Sequence, residues 1–404
     1  MGQNSRKLVY DSGKSTIFWD WDIKDDIHIR VSFCFDHSIN GDELLQAWKK
    51  TLKVYPLLDL VPDRINDHIL FFEPKEEVRV VESREPVMPR EKLAAERCIS
   101  VSYYDDTVTV LAFHSVIDGK GIMTVSKTLA YHYCCIHFNK IFDPNGFTLS
   151  EGRQITEYYK PFTSCPLGDY TSVPMMTFPE NAEYFSDSDM VPDASGKIIS
   201  GTLGFSYDNF IEICRKNGAN PSVMMCILLA KATYRLHIDE HRDMVYFVTM
   251  DFREALGITE SIAQCSWAAM LELPYAEAMS NDIGATAKVL RSALNTQRTE
   301  DYVKSCAAML RTYNIDATAC SGIVSYFGDI GLGELQEHIT GMMLANNSCN
   351  TVNLIQFGDE YMLLCQLGIA TERYMKALTT ELKKLGIDTR VVREPSSIIT
   401  ERRE

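Results

Sequence analysis

The 404-residue sequence opens on nothing that reads as a secretory leader, so none is expected, and it holds no apolar run approaching the length of a membrane span. It has no paired Cys-x-x-Cys spacing either, so no zinc site is expected and no metal is assigned. Positive charge is scarce. Forty Lys and Arg face 55 Asp and Glu, a formal net charge of −15. Nucleic acid and anionic membranes both require a positive field, so neither is expected as a main partner. An anionic small molecule is still allowed, because a few local Lys or Arg outweigh a distant surplus. The twelve cysteines are scattered singly apart from Cys134-Cys135, which reads as reduced, buried thiols in a cytoplasmic protein. Met1-Gly2 begins like a myristoylation signal, but Arg6 stands where Ser or Thr is wanted.

Hydrophobic residues make up 46% and charged residues 24%, as in ordinary globular proteins, and the length favours two domains. The division expected is an N-terminal domain over 1–160, a crossover over 161–196 and a C-terminal domain over 197–404. The crossover holds five of the fourteen prolines, Pro161, Pro166, Pro174, Pro179 and Pro192, and little periodicity. Before it, residues 1–24 read as an irregular start carrying Trp19 and Trp21. Ile27, Ile29, Val31 and Phe33 alternate as a strand. Asn40 followed by Asp42 and Glu43 marks a helix start, with Leu44, Leu45, Ala47, Trp48 and Leu52 as its apolar face. Ile69–Phe72 and Val78–Val81 are short strand-like runs.

After the crossover, Tyr207–Lys216 reads as a helix closed by Asn217-Gly218, and Pro221 opens another through Leu236. Met244–Met250 and Ile323–Gly328 are strand runs, and Glu277–Tyr313 is mostly helical with Gly284 its weakest point. Thr351–Phe357 and Tyr361–Leu367 form a hairpin, followed by a helix from about Thr371 to Leu385. The tail, Arg393 to Glu404, is polar and expected to be mobile.

One stretch concentrates the chemistry. Ile99, Val101 and Tyr103 alternate, Asp105-Asp106 turns, and Thr107–Phe113 returns as a buried strand that delivers His114. Ser115-Val116-Ile117-Asp118-Gly119-Lys120-Gly121 follows, and then Ile122, Val125, Leu129 and Tyr133 at helical spacing. Imidazole is the side chain whose ordinary pKa lies nearest neutrality, so a histidine at a strand-to-helix junction suits general-base work. The later hairpin and helix repeat this order with Gln366-Leu367-Gly368 in place of the histidine, which points to two similar halves with the chemistry in one.

The order His114-x-x-x-Asp118-Gly119 resembles the motif of the CoA-dependent acyltransferase superfamily. That superfamily includes chloramphenicol acetyltransferase, plant and fungal alcohol acyltransferases and the condensation domains of peptide synthetases. Val248-Thr249-Met250-Asp251-Phe252-Arg253 resembles the superfamily's strand ending in Asp-x-Arg or Asn-x-Arg, and Val324–Ile330 its Ser-Asn-x-Gly segment. Two features depart from the pattern. Phe113 replaces the first of the two histidines of condensation domains, and Phe327-Gly328-Asp329 only echoes the Asp-Phe-Gly-Trp-Gly motif of plant enzymes.

The resemblance implies an α/β fold: two chloramphenicol acetyltransferase-like domains, each a mixed sheet flanked by helices, forming a pseudo-dimer with a central tunnel. It implies acyl transfer from a CoA thioester to the hydroxyl, or less readily the amine, of a small acceptor, with His114 as general base. No covalent acyl-enzyme is required, so Ser115 is not a nucleophile. Acyl-CoA would be a co-substrate, and no cofactor would be bound permanently. Asp118 would point away from the tunnel and pair with Arg253, and Gly119 would serve backbone geometry. Ser325, Asn350 or Thr351 would donate to the oxyanion. Arg153, Lys160, Lys288 and Arg291 are weighed as contacts for CoA phosphates against the reading of solvated charge. Two alternatives stay open: a condensation-type enzyme taking its acyl group from an acyl carrier protein, and a degenerate protein that only binds an acyl ligand or a partner.

Overall fold

The computed structural model describes residues 6–14, 27–65, 68–89, 92–174, 183–311, 320–346 and 348–399. Trp19, Trp21 and Pro179 lie outside them. The chain forms two compact units: Met1–Pro166 with Leu256–Cys265 and Gly331–Asn347, and Leu167–Ala255 with Ser266–Ile330 and Ser348–Glu404. These units do not follow the contiguous division 1–160, 161–196 and 197–404. Two later segments join the first unit, and the proline-rich stretch divides between the two. Strand pairing over hundreds of residues sets this arrangement, and local periodicity carries no trace of it.

In the first unit, β1 (Leu8–Lys14), β3 (Val61–Ile65) and β4 (His68–Phe72) make a small antiparallel sheet in the order β1-β4-β3. The main sheet has five strands. It contains β2 (His28–Phe35), β5 (Val81–Glu82), β6 (Ile99–Tyr104), β7 (Thr107–Phe113) and β12 (Ile339–Asn346), in the order β12-β2-β7-β6-β5. The expected strand Val78–Val81 shrinks to Val81–Glu82, which pairs with Ser102 and Tyr103. Asp105, in the left-handed region at φ 53°, forms the tight turn that joins β6 to β7.

Helices α1 (Gly41–Val54) and α2 (Gly119–His137) cover one face of this sheet. The Asn40 side chain caps α1 by accepting from the backbone N–H groups of Asp42 and Glu43. Val31, Phe33 and Phe35 of β2 and Val108 and Val110 of β7 meet Leu44 of α1 and Leu129 and Tyr133 of α2. The opposite face carries Ser32 and Thr109, whose hydroxyls are 2.8 Å apart, and Arg30, whose Nε donates to Ser32 Oγ over 3.0 Å. A short α3 (Ile155–Tyr158) follows.

The second unit is built on seven strands. They are β8 (Ile198–Ser206), β9 (Met244–Asp251), β10 (Ser266–Leu273), β11 (Gly322–Asp329), β13 (Thr351–Phe357), β14 (Glu360–Gln366) and β15 (Thr389–Ile399), ordered β10-β9-β11-β13-β14-β8-β15. The β9-β11-β13 pairings are parallel and the others antiparallel. Its helices are α4 (Tyr207–Lys216), α5 (Pro221–Leu236), α6 (Tyr275–Ala278), α7 (Ile283–Thr296), α8 (Glu300–Leu310) and α9 (Thr371–Lys384). Asn220 caps α5 ahead of Pro221, and that helix is buried along most of its length. The stretch Glu277–Tyr313, expected to be mostly helical, holds the end of α6 and the whole of α7 and α8, and α7 carries Gly284 near its start. Residues 393–399 are not a free tail. They belong to edge strand β15, whose polar side chains disguise a backbone paired to β8.

Candidate active site

The chain leaves β7 through a tight turn in which Val116 N–H and Ile117 N–H both donate to the Phe113 carbonyl, over 3.1 and 3.3 Å. His114 N–H donates to Ile27 O over 3.2 Å, so the histidine's backbone still belongs to the β2 edge. Four residues on, Asp118 caps α2. Its Oδ1 accepts from Gly121 N–H at 2.9 Å, and its Oδ2 accepts from Cys265 N–H at 2.9 Å. The carboxylate is fully buried. A carboxylate at a helix N-terminus satisfies an otherwise orphaned N–H and complements the helix dipole. Gly119 is the first residue of that helix. The glycine that packing demands is Gly121, where a methyl group would overlap the Ile262 carbonyl oxygen.

The turn is braced by Leu256–Cys265. Ile117 and Ala263 form an antiparallel bridge, Ile262 N–H donates to Tyr158 O over 2.8 Å, and Phe162 N–H donates to Gln264 O over 3.1 Å. Ser261 Oγ both accepts from Lys160 N–H and donates to Lys160 O, each at 3.0 Å, and Cys265 Sγ approaches Lys160 O at 3.1 Å. Motif, brace and residues 158–162 therefore form one hydrogen-bonded knot. The sequence offered no signal for the brace, which has no periodicity and lies some 150 residues from what it holds.

His114 is half-buried, and its Nδ1 is buried without a hydrogen-bond partner. Burial pushes the imidazole pKa below its ordinary 6.5, opposed by its own backbone carbonyl, the Asp118 charge and the polar Gln264 side chain. The ring is therefore neutral at neutral pH, the form that accepts a proton. Gln264, itself buried, belongs to the brace beside this turn, which sequence reasoning missed.

The structure brings His114, Asp118 and Gly119 together in the first unit. Arg253, Ser325, Asn350 and Thr351 belong to the second. Arg253 is buried and donates through a guanidinium nitrogen to Asp251 Oδ1 over 2.8 Å. Ser325 on β11 and Thr351 on β13 lie on neighbouring parallel strands and share one face, since Ile323 is paired with Thr351 and Ser325 with Asn353. The Thr351 hydroxyl is buried without a hydrogen-bond partner, whereas the Asn350 side chain accepts from Ser348 Oγ over 2.6 Å. Among the cations weighed for CoA, Arg153 lies 3.9 Å from Glu260 and Arg291 donates to Gly218 O over 2.8 Å.

The later hairpin and helix, β13-β14-α9, repeat the course of β6-β7-α2. Where the first copy presents His114, the second has Leu367, whose N–H donates to Thr371 Oγ1 over 3.0 Å. Gly368, at φ 59°, lies against the Val191 backbone, and Ile369 N–H donates to Val191 O over 3.0 Å.

Solved structures match this arrangement over nearly the whole chain. TRI101 of F. sporotrichioides, complexed with coenzyme A and T-2, aligns at a TM-score of 0.62 and 14% identity, covering 90% of this chain and 96% of that one. Polyketide synthase associated protein 5 from Mycobacterium tuberculosis aligns at 0.61 and 12%, covering 92% and 97%. The condensation domain from Monacolin K polyketide synthase MokA aligns at 0.58 and 10%, covering 94% and 97%. The chain has the chloramphenicol acetyltransferase-like fold. At these identities the likeness establishes the fold alone. No family model and no curated protein matches the sequence. Within the chloramphenicol acetyltransferase-like fold, the described residues contain no cluster of three or more His, Cys, Asp or Glu able to hold a metal ion. No helix among them is long and apolar enough to cross a membrane.

Proposed function

We propose that the chain is an acyltransferase that moves an acyl group from a CoA thioester to the hydroxyl of a small acceptor. The observation that carries this reading is His114: a half-buried imidazole at the end of β7, kept neutral by burial, in a turn whose neighbouring carboxylate accepts backbone hydrogen bonds from Gly121 and Cys265. The neutral ring takes the proton of the acceptor hydroxyl. The freed oxygen attacks the thioester carbonyl, the tetrahedral intermediate expels the CoA thiolate, and the imidazolium returns the proton to that sulfur. Ester and free thiol leave with the histidine restored, so no acyl-enzyme forms and Ser115 stays unmodified. Asp118 and Gly119 shape the turn and take no part in the proton transfer. The coenzyme A complexes of TRI101 support the choice of donor.

The fold shared with the MokA condensation domain favours one second reading, in which the acyl group arrives on a carrier protein. A thiol-release assay with acetyl-CoA and a panel of alcohols and amines separates the two. Thiol release that depends on both acceptor and His114 supports the first. Turnover only with a loaded carrier protein supports the second. Binding of acyl-CoA with no transfer to any acceptor overturns both.

A further inference from the structure

Strand β2 begins opposite Phe113 and ends opposite Thr107, so the residues just past it lie at the far end of the sheet from His114. Three imidazoles meet there. The rings of His37, just past β2, and His137, the last residue of α2, stack with centroids 4.0 Å apart and planes 4° apart. His338, just before β12, stacks on Phe138 at 4.1 Å. Each ring is tied through Nδ1 to a carboxylate: His37 to Asp36 Oδ1 over 2.5 Å, His338 to Asp36 Oδ2 over 3.1 Å and His137 to Glu43 Oε2 over 2.8 Å. Burial would raise the Asp36 pKa, but the hydrogen bonds and charges of His37 and His338 reverse that and hold it below 3.8, so it stays charged. A carboxylate only accepts, so each Nδ1 carries a proton and a neutral ring takes its next one on Nε2. His37 Nε2 is buried with no hydrogen-bond partner.

A proton does not cost the same on each ring. A charged His137 keeps Glu43 and ends α2, where the helix dipole favours a cation, and a charged His338 keeps Asp36. A charged His37 would lie against His137 at 4.0 Å, share Asp36 with His338 and place an N–H where nothing accepts it. We propose that His37 is a proton-operated latch: its neutral ring joins the end of β2 to the end of α2 and, through Asp36, to the entry of β12, and mild acid, by charging it, parts the stack and loosens β12. The other groups around it do not relieve that charge. Asp42, Asp105, Asp106 and Glu337 are exposed, and Lys140 pairs with Glu334 over 3.5 Å. Tyr133 and Cys134, both pushed up to about 12 chiefly by burial, are neutral. The latch stands whether or not the chain transfers acyl groups.

Amide hydrogen exchange on the full-length protein tests this, measured at about pH 7 and about pH 5, which bracket the range where imidazole gains its charge, and corrected for the intrinsic rate at each pH. Amides of 338–346 and 133–138 should lose protection ~10-fold at the lower pH, the worth of one buried donor left without an acceptor. Those of β13 and β14 should keep theirs. His37→Phe keeps a ring in the stack with no proton to take, and should abolish the loss. Should that variant not fold, His137→Gln decides instead: it removes the neighbouring charge, so its loss should be smaller than that of the wild type. Equal wild-type protection at the two pH values overturns the latch. So does a loss as large in the variants, or one spread evenly over both units.

Discussion

Cys265 N–H donates to Asp118 Oδ2 over 2.9 Å, although the two residues are 147 positions apart. With the Gly121 N–H on Oδ1, this makes Asp118 a tie between the strand-to-helix turn and the brace. Asp118→Asn keeps one acceptor and turns an NH₂ group toward a backbone N–H. It should lower stability by ~1–3 kcal/mol, the cost of leaving a buried donor unsatisfied, and Asp118→Ala should cost more. Thermal unfolding of the two variants measures this. An Asn variant of wild-type stability but no activity would instead make Asp118 a participant in the chemistry.

Gly121→Ala should be among the most damaging single-methyl additions in the chain. Its new methyl would meet the Ile262 carbonyl oxygen, a backbone atom that cannot rotate away. Overpacking of this kind costs ~1–3 kcal/mol and here would also push the brace off the turn. A Tm equal to wild type would show that the brace yields more readily than its hydrogen bonds suggest.

His114 yields a pH prediction with a definite sign. Its pKa lies below 6.5 in the folded protein, chiefly through burial, so the folded state favours the neutral ring. The rate of transfer should therefore rise with pH below 6.5 and level off by neutrality. The same displacement costs stability as pH falls from 6.5 through the folded pKa, because the unfolded chain binds the proton more readily. His114→Ala should lose ~10²–10⁴-fold in turnover, the usual worth of a positioned base, while its circular dichroism stays that of the wild type. A plateau beginning well above pH 6.5 would contradict this account of the ring.

Asp187 should be a stability residue of the second unit. Its carboxylate is buried and meets Arg373 at 2.7 Å, His237 Nε2 at 2.8 Å, Tyr374 OH at 3.0 Å and Asp189 N–H at 2.9 Å. Burial alone would raise its pKa. The Asp189 N–H, the His237 and Tyr374 hydrogen bonds and the Arg373 charge reverse that, holding it below 3.8. The stability it contributes is present above pH 3.8 and lost as pH falls through the folded value. Asp187→Ala should cost ~3 kcal/mol, the low end for breaking a buried pair, since Arg373 and His237 still reach solvent. Urea denaturation at neutral pH checks the magnitude.

Local signals in the sequence marked most of what surrounds the site. Asn40 ahead of two acids marked α1, Asp105-Asp106 marked the hairpin turn, and Pro221 and Asn217-Gly218 marked helix ends. The strand that delivers His114 stood out because Thr107–Phe113 is nearly all buried. The missed elements lack any local signature. Gln264 stands 150 positions after His114 in a stretch without periodicity, β12 pairs with a strand some 310 positions before it, and β15 is an edge strand that carries Arg393, Glu394, Ser396 and Ser397. Partners that distant are chosen by tertiary pairing, and no window of residues records the choice.

Strand β12 hydrogen-bonds along β2 from Ile339 to Asn346, so a sheet built largely before residue 114 is completed only by residues synthesised after 338. A polypeptide stopped at the proline-rich stretch would carry a bare β2 flank, a template for adventitious strand addition. Halves exchanged by cutting there with those of a homologous fold would inherit the same defect. The nascent chain meets a related constraint: until most of it has left the ribosome, that flank has nothing of its own to bind.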